Sequence, residues 1–97
     1  MNNKEEAEVL ILLSNGVTVP RKLYMEIYKE VTDVFSVLHS GTEYSLKKLC
    51  DPDYWKSLTL YQRILAGMCM THMVRNNYVR YTPTGKPCQS PKAYSPI

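Results

Sequence analysis

Residues 59–81 read TLYQRILAGMCMTHMVRNNYVRY, and the fold predicted for this 97-residue chain depends mainly on this stretch. The apolar spacing predicts one long helix from Thr59 to Asn76, where the pair Asn76-Asn77 ends it. Tyr78 to Tyr81 alternate and are rich in strand-forming types, so they predict a β-strand. The stretch therefore predicts a long helix that runs directly into a strand.

The two faces of this helix follow from a rotation of 100° per residue. One face is expected to be buried and carries Tyr61, Ile64, Leu65, Met68 and His72. The opposite face is expected to be exposed and carries Thr59, Gln62, Arg63, Ala66, Met70, Met73 and Asn77. Gly67 lowers helix stability and suggests that another backbone approaches closely at that point.

The N-terminal segment predicts a further helix from Lys4 to about Ser14, with Asn3 as its cap and Asn15-Gly16 as its stop. Its apolar arc is too wide for one neighbour, so we expect it to contact a second copy as well. The prediction is a homodimer. We expect a single domain over residues 1–97, with an N-terminal helix at 1–16 and a core at 20–95.

Between these segments the chain alternates short elements and turn residues. We expect an amphipathic helix from Arg21 to about His39, a minimal strand at Glu43-Tyr44, and a helix from Leu46 to Cys50 capped by Ser45. Asp51 is expected to cap one further turn. Lys92 to Tyr94 predicts a returning strand, which Pro91 and Pro96 are expected to confine to a sheet edge.

From residue 21 the predicted order is helix, short strand, short helix, long helix, hairpin. Together with Tyr54-Trp55, the step Arg63-x-x-Ala66-Gly67, Gly85-Lys86 and Tyr94, this order resembles small bacterial and phage-type winged helix-turn-helix proteins. The resemblance covers about residues 43–95. It implies a mainly α fold with a small β-hairpin (α+β), in which the long helix is a recognition helix and the hairpin is a wing. One departure is the connection from Asp51 to Leu58, which is longer than the usual turn.

Charge is distributed unevenly along the chain. Residues 1–53 hold nine acidic residues and six Lys or Arg, a net of −3, whereas residues 54–97 hold six Lys or Arg and no acid, a net of +6. Such asymmetry favours a polyanionic partner. We therefore expect double-stranded DNA, read in the major groove by the outer face of the long helix and contacted by the wing. The predicted DNA-binding residues are Lys56, Thr59, Gln62, Arg63, Arg80, Lys86 and Lys92.

The alternative is a winged-helix module that binds another protein, as an adaptor or inhibitor. An adaptable apolar surface patch is expected on this interpretation, formed by Ala66, Met70 and Met73. The composition leaves both alternatives open. In either case the expected function is binding, and in the DNA case it is transcriptional regulation.

Catalysis, metals and cofactors find no support in the residues. Cys50, Cys69, His72 and Cys88 form a nominal ligand set, but only one closely spaced pair occurs among them. No phosphate-binding glycine motif is present, and no acid that could orient a Cys–His pair follows residue 53. We expect no enzyme, no metal and no cofactor. An odd number of scattered cysteines and the lack of a long apolar run predict a cytoplasmic chain without a membrane segment.

Overall fold

Helices and short antiparallel sheets alternate along residues 9–85 and 92–97, the parts that this computed structural model describes. The strands are β1 (Leu10–Leu12), β2 (Thr18–Pro20), β3 (Tyr44–Ser45), β4 (Tyr81–Thr84) and β5 (Ala93–Pro96). The helices are α1 (Arg21–Asp33), α2 (Leu46–Leu49), α3 (Pro52–Ser57) and α4 (Leu60–Arg75), with a 3-10 turn at Phe35–Val37. The predicted α+β class is confirmed. No helix in the described ranges has the length and apolar character needed to cross a membrane.

The described chain begins with a β-hairpin, so the helix predicted from Lys4 to about Ser14 is wrong where it covers Leu10–Leu12. Strands β1 and β2 pair antiparallel, with Leu10 opposite Pro20. Asn15-Gly16 forms the turn, in which Gly16 has a φ of +87° and the Asn15 side chain accepts from the Val17 amide at 3.0 Å. Asn-Gly between apolar runs is a strong hairpin signal, and it outweighs the helical spacing here. The helix that supported the predicted homodimer is therefore absent from the described segment 9–14.

Helix α1 is shorter than predicted, because it ends at Asp33 instead of His39. Its buried residues are Leu23, Tyr24, Ile27 and Val31. Near its end, the Tyr81 hydroxyl donates to the Val31 carbonyl at 2.6 Å. A helix end leaves carbonyls without an intrahelical partner, and this long-range bond satisfies one of them.

The short helices α2 and α3 begin where their caps predict. The Ser45 hydroxyl accepts from the Lys48 amide at 3.3 Å, which caps α2. The Asp51 carboxylate accepts from the Asp53 amide at 2.8 Å, which caps α3. Asp, Ser and Thr satisfy first-turn amides in this way, so these two predictions are confirmed.

The second sheet has the strand order β3-β5-β4. Strand β5 is central, so the expectation that Pro96 confines it to an edge is wrong. The reason is that β3 covers only Ala93 and Tyr94, which leaves Pro96 beyond its reach, where no β3 carbonyl needs a donor. Strand β4 begins at Tyr81, later than predicted.

The late start of β4 follows from how α4 ends. Asn77 adopts a left-handed φ of 59°, and its amide donates to the Val74 carbonyl at 3.2 Å. The next amide, of Tyr78, donates to the Met73 carbonyl at 2.9 Å. This pair of bonds is a Schellman cap. It uses Asn76 to Tyr78 to terminate the helix, so those residues are not available to the strand.

From Ala66 to Met73, helix α4 buries the face that was expected to be exposed, whereas Thr59, Gln62 and Asn77 of that face are exposed. Its buried residues are Leu65, Ala66, Cys69, Met70, Met73 and Val74. Of the predicted core face, Leu65 is buried, whereas Tyr61 and Ile64 are exposed. Both faces of α4 carry apolar residues, so the spacing alone does not select one. The unbranched methionines fill the irregular space against the rest of the core.

Candidate functional site

A groove of about 640 Å³ runs along the side of α4 that faces away from the core. We call it the α4 groove. Its floor is formed by Ile64, Gly67, Met68 and Thr71 of α4. The remaining lining residues are Leu13, Ser14, Asn15, Leu46, Trp55, Arg63, His72, Arg75, Lys92 and Tyr94. The volume lies in the range of roughly 300–1,000 Å³ that is usual for binding sites.

Two contacts define the sides of the α4 groove. Arg63 and His72 are nine residues apart, which places them on opposite sides of the helix. On one side, Arg63 contacts Trp55 of α3. On the other, the His72 ring contacts Tyr24 of α1, and its Nδ1 lies 2.9 Å from the Tyr24 hydroxyl oxygen. Of the floor residues between them, Ile64 is exposed, and Gly67, Met68 and Thr71 are half-buried.

Apolar side chains continue the floor toward the start of α4. Leu60 is 74% exposed, Tyr61 68% and Ile64 51%. The three lie on one face, because residues three and four apart are neighbours on a helix surface. A continuous exposed apolar patch of this kind marks a binding surface more often than isolated exposed residues do.

Cations line the same groove. Arg63, Arg75 and Lys92 all contribute to its walls, and no acidic residue is among the described residues that line it. Within ranges 9–85 and 92–97, both side-chain ion pairs lie on α1, between Lys22 and Glu26 and between Lys29 and Asp33. The α4 groove is therefore apolar along its floor and positively charged at its walls.

Two of the predicted DNA-binding residues have a structural role that the sequence interpretation missed. The Thr59 hydroxyl accepts from the Gln62 amide at 3.1 Å, and the Gln62 side-chain oxygen accepts from the Thr59 amide at 2.8 Å. This reciprocal pair is a capping box. The signal was present in the sequence as Thr-x-x-Gln immediately before the apolar run.

The other predicted DNA-binding residues do not form one surface. Arg63 and Lys92 share the α4 groove, whereas Lys56 lines a separate depression with Lys47, Lys48 and Trp55. Arg80 lies over the Phe35 ring, 5.8 Å from its centroid. Lys86 lies outside the described residues. Arg75, which was not among the predicted site residues, joins Arg63 and Lys92 because it shares the helix face of Ile64 and Met68.

The alternative patch of Ala66, Met70 and Met73 is wrong as a surface. Each of these residues is 0% exposed, because α4 turns that face toward the core. The exposed apolar surface of α4 consists of Leu60, Tyr61 and Ile64 instead. An interaction surface on this helix therefore uses the face that the spacing had predicted to be core.

The buried thiols have no feature of a reactive or metal-binding site. Cys50 and Cys69 are both buried and free, and burial raises the pKa of each thiol to about 12. Deprotonated thiol is the form that acts as nucleophile or ligand, so these groups are held in the inert form. Within the described residues, no group of three or more metal-ligating side chains occurs. Cys88 lies outside them.

Comparisons of the chain with protein-family models, with curated proteins and with solved structures found no match.

Proposed function

We propose that this chain is a winged-helix protein-interaction module whose α4 groove binds an acidic, amphipathic segment of a partner protein. The winged-helix assignment is supported by the order α1, β3, α2, α3, α4, β4, β5, in which α3 occupies the long connection before α4, and by the strand order β3-β5-β4. In that assignment α4 takes the position of the recognition helix, and β4 and β5 form the wing.

The observation that carries the proposal is the exposure of Leu60, Tyr61 and Ile64 in one row. Fully burying a side chain of this size contributes roughly 1.5–3 kcal/mol. A protein segment offers apolar side chains that cover such a row. A DNA groove offers mainly phosphates and base edges, with the thymine methyl as its chief apolar group. The apolar content of this face therefore favours a protein partner.

Charge defines the partner further. Arg63, Arg75 and Lys92 flank the apolar floor without an acidic neighbour among the described lining residues. An acidic segment complements these cations and excludes basic competitors. A second copy of this chain, docked symmetrically on the same face, would bring two sets of these three cations together with no acidic residue among the described lining residues to offset them. The occupant is therefore a different protein.

A peptide-display selection tests the proposal. The full chain is presented to a library of random 20-residue peptides, with an Ile64→Glu variant as the matched control. Ile64 is half exposed, so the substitution is expected to leave the fold intact, which circular dichroism checks. The expected peptides are rich in Asp and Glu, have apolar residues at helical spacing, and bind the wild type but not the variant. Binders that ignore Ile64→Glu, or no binders at all, would contradict the proposal.

A second candidate is duplex DNA, which the +6 net charge of residues 54–97 favours. Four phosphate contacts would give a slope of log affinity against log salt of about −3.6. Fluorescence anisotropy with a 20-base-pair duplex across a salt series tests this candidate. The decisive variant is Arg63→Ala/Lys86→Ala. Salt-dependent binding that this variant weakens would support DNA over protein, whereas no binding at low salt would exclude it.

A further inference from the structure

Gly67 lies at the middle of α4, where glycine is an unfavourable choice. In a helix interior it is less stable than alanine, because the backbone loses more conformational freedom on folding. The local backbone does not require it, since Gly67 has an ordinary helical conformation. Packing within the chain does not require it either, since a Cβ built at Gly67 meets no atom within 4 Å apart from its chain neighbours and the backbone of its own helix. The described part of the molecule thus gives no internal reason for this glycine.

The position of Gly67 supplies an external reason. It lies on the floor of the α4 groove, beside Ile64 and Met68, with the cations Arg63 and Arg75 on either side along the helix. The Gly67 carbonyl accepts from the Thr71 hydroxyl at 3.1 Å, so Thr71 is also turned toward the helix instead of outward. The surface of α4 is therefore most recessed around Gly67. A lowered floor admits a partner backbone closer than a side chain would allow.

We propose that Gly67 is the point at which a helix of the partner protein approaches α4 most closely. This inference rests on the proposed function, because it concerns the occupant of the same groove. It goes further by assigning the occupant a helical conformation and by assigning Gly67 the role of specificity-determining residue.

A helix fits the α4 groove better than an extended segment does. The amides and carbonyls in the middle of α4 are bonded within the helix, so they offer no ladder to an added strand. An extended occupant would leave its own buried backbone groups without partners, whereas a helix satisfies them internally. Packed helices lie about 8–10 Å apart, and the distance depends on the side chains at the contact. A glycine at the contact allows the two helix axes to lie about 8 Å apart, the short end of that range.

The groove also sets a minimum length for the occupant. Arg63 and Arg75 are twelve residues apart on α4, a distance of about 18 Å along the helix axis. A partner helix of about three turns spans this distance, and about one further turn reaches Leu60 and Tyr61, which precede Arg63. Acidic side chains near its two ends meet Arg63 and Arg75, and its apolar face covers Ile64 and Met68 between them.

Two substitutions at Gly67 separate this role from a merely structural one. Gly67→Ala adds a single Cβ that meets nothing in the free protein, so the Tm is expected to rise by roughly 2–8 °C. The same Cβ occupies the space of the partner backbone, so peptide binding is expected to weaken about tenfold or more. Gly67→Leu is expected to abolish binding. A rise in stability with a fall in affinity is the signature of a contact reserved for a partner.

The experiment uses an acidic library of 20-residue displayed peptides, selected on the full wild-type chain. Recovered peptides are then titrated against Gly67→Ala, Gly67→Leu and Ile64→Glu, and the Tm of each variant is measured. The inference is supported if both Gly67 variants lose affinity while Gly67→Ala gains stability. It is overturned, with the groove assignment intact, if only Ile64→Glu loses affinity, or if Gly67→Ala lowers the Tm. Recovered peptides that Ile64→Glu does not affect, or an empty selection, overturn the proposed function itself.

Discussion

Arg63 donates its Nε hydrogen to the backbone carbonyl of Trp55 over 3.3 Å, and its guanidinium lies over the Trp55 ring, 5.7 Å from the centroid. One side chain thus joins α3 to α4 and also places a cation at the wall of the α4 groove. The first role contributes to stability, and the second is the one that the proposed partner binding uses. An arginine is suited to both, because its planar group stacks on a ring while its Nε–H donates.

Replacing Arg63 therefore affects the fold before any partner is added. Arg63→Ala is expected to lower the free energy of unfolding by about 1 kcal/mol, the sum of a modest cation–π contact and one hydrogen bond. Urea denaturation followed by fluorescence of Trp55, the only tryptophan, measures it. Arg75→Ala is the control, since Arg75 is exposed and a change within about 0.5 kcal/mol is expected. Equal effects of the two substitutions would refute the proposed link.

The capping box at the start of α4 gives a second prediction. Thr59→Ala removes the acceptor of the Gln62 amide and is expected to cost about 1 kcal/mol of stability. Thr42→Ala, at an exposed threonine outside any helix, is the matched control and is expected to change little. Thermal unfolding followed by circular dichroism compares the two. A Thr59→Ala protein as stable as the control would mean that the cap does not form.

The orientation of α4 gives a third prediction. Met70 and Met73 are fully buried, so Met70→Ala and Met73→Ala are each expected to cost about 2–5 kcal/mol. Ile64 is 51% exposed, so Ile64→Ala is expected to cost far less. Urea denaturation ranks the three variants. A larger loss of stability for Ile64→Ala than for the two methionine variants would mean that α4 buries the face that the apolar spacing predicts.

Helix α4 also shows where prediction from the sequence succeeds and where it fails. Its start at Thr59 and its end near Asn76 follow from local caps, and so do Ser45 and Asp51 at α2 and α3. The rotation of α4 about its own axis does not follow from the sequence, because apolar residues occur on both faces and only tertiary packing selects the face that is buried. The N-terminal hairpin fails for a related reason: Leu10 to Leu13 suit a helix or a strand, and the Asn15-Gly16 turn decides.

The candidate site was partly within reach of the sequence. The sequence predicts a basic site in the acid-free C-terminal half and names Arg63 and Lys92 as part of it. Both of these cations line the α4 groove. The position of Arg75 beside these two cations could not be predicted, because it depends on how α4 is rotated about its own axis. The separation of Lys56 and Arg80 from that groove depends on the tertiary fold in the same way.

Buried thiols and a buried phenol make stability depend on alkaline pH. The pKa of Cys50 and of Cys69 is raised by burial to about 12 from 9.0, and that of Tyr81 to about 12 from 10.0. In the unfolded chain these groups lose protons at lower pH than in the folded one. The free energy of unfolding is therefore expected to fall as pH rises from about 9 toward 12. Urea denaturation across this pH range measures the loss of stability. The Cys50→Ala/Cys69→Ala variant is expected to lose less stability over the same range. An equally steep loss in that variant would mean that other groups cause the pH dependence.

The most direct test of the α4 groove as a protein-binding site is the dissociation constant of a selected acidic peptide for the wild type and for Ile64→Glu. The single substitution places a carboxylate on the apolar floor, where it meets an acidic partner. The variant is expected to bind at least about tenfold more weakly, a difference of about 1.4 kcal/mol. Equal dissociation constants for the two folded proteins would contradict this expectation.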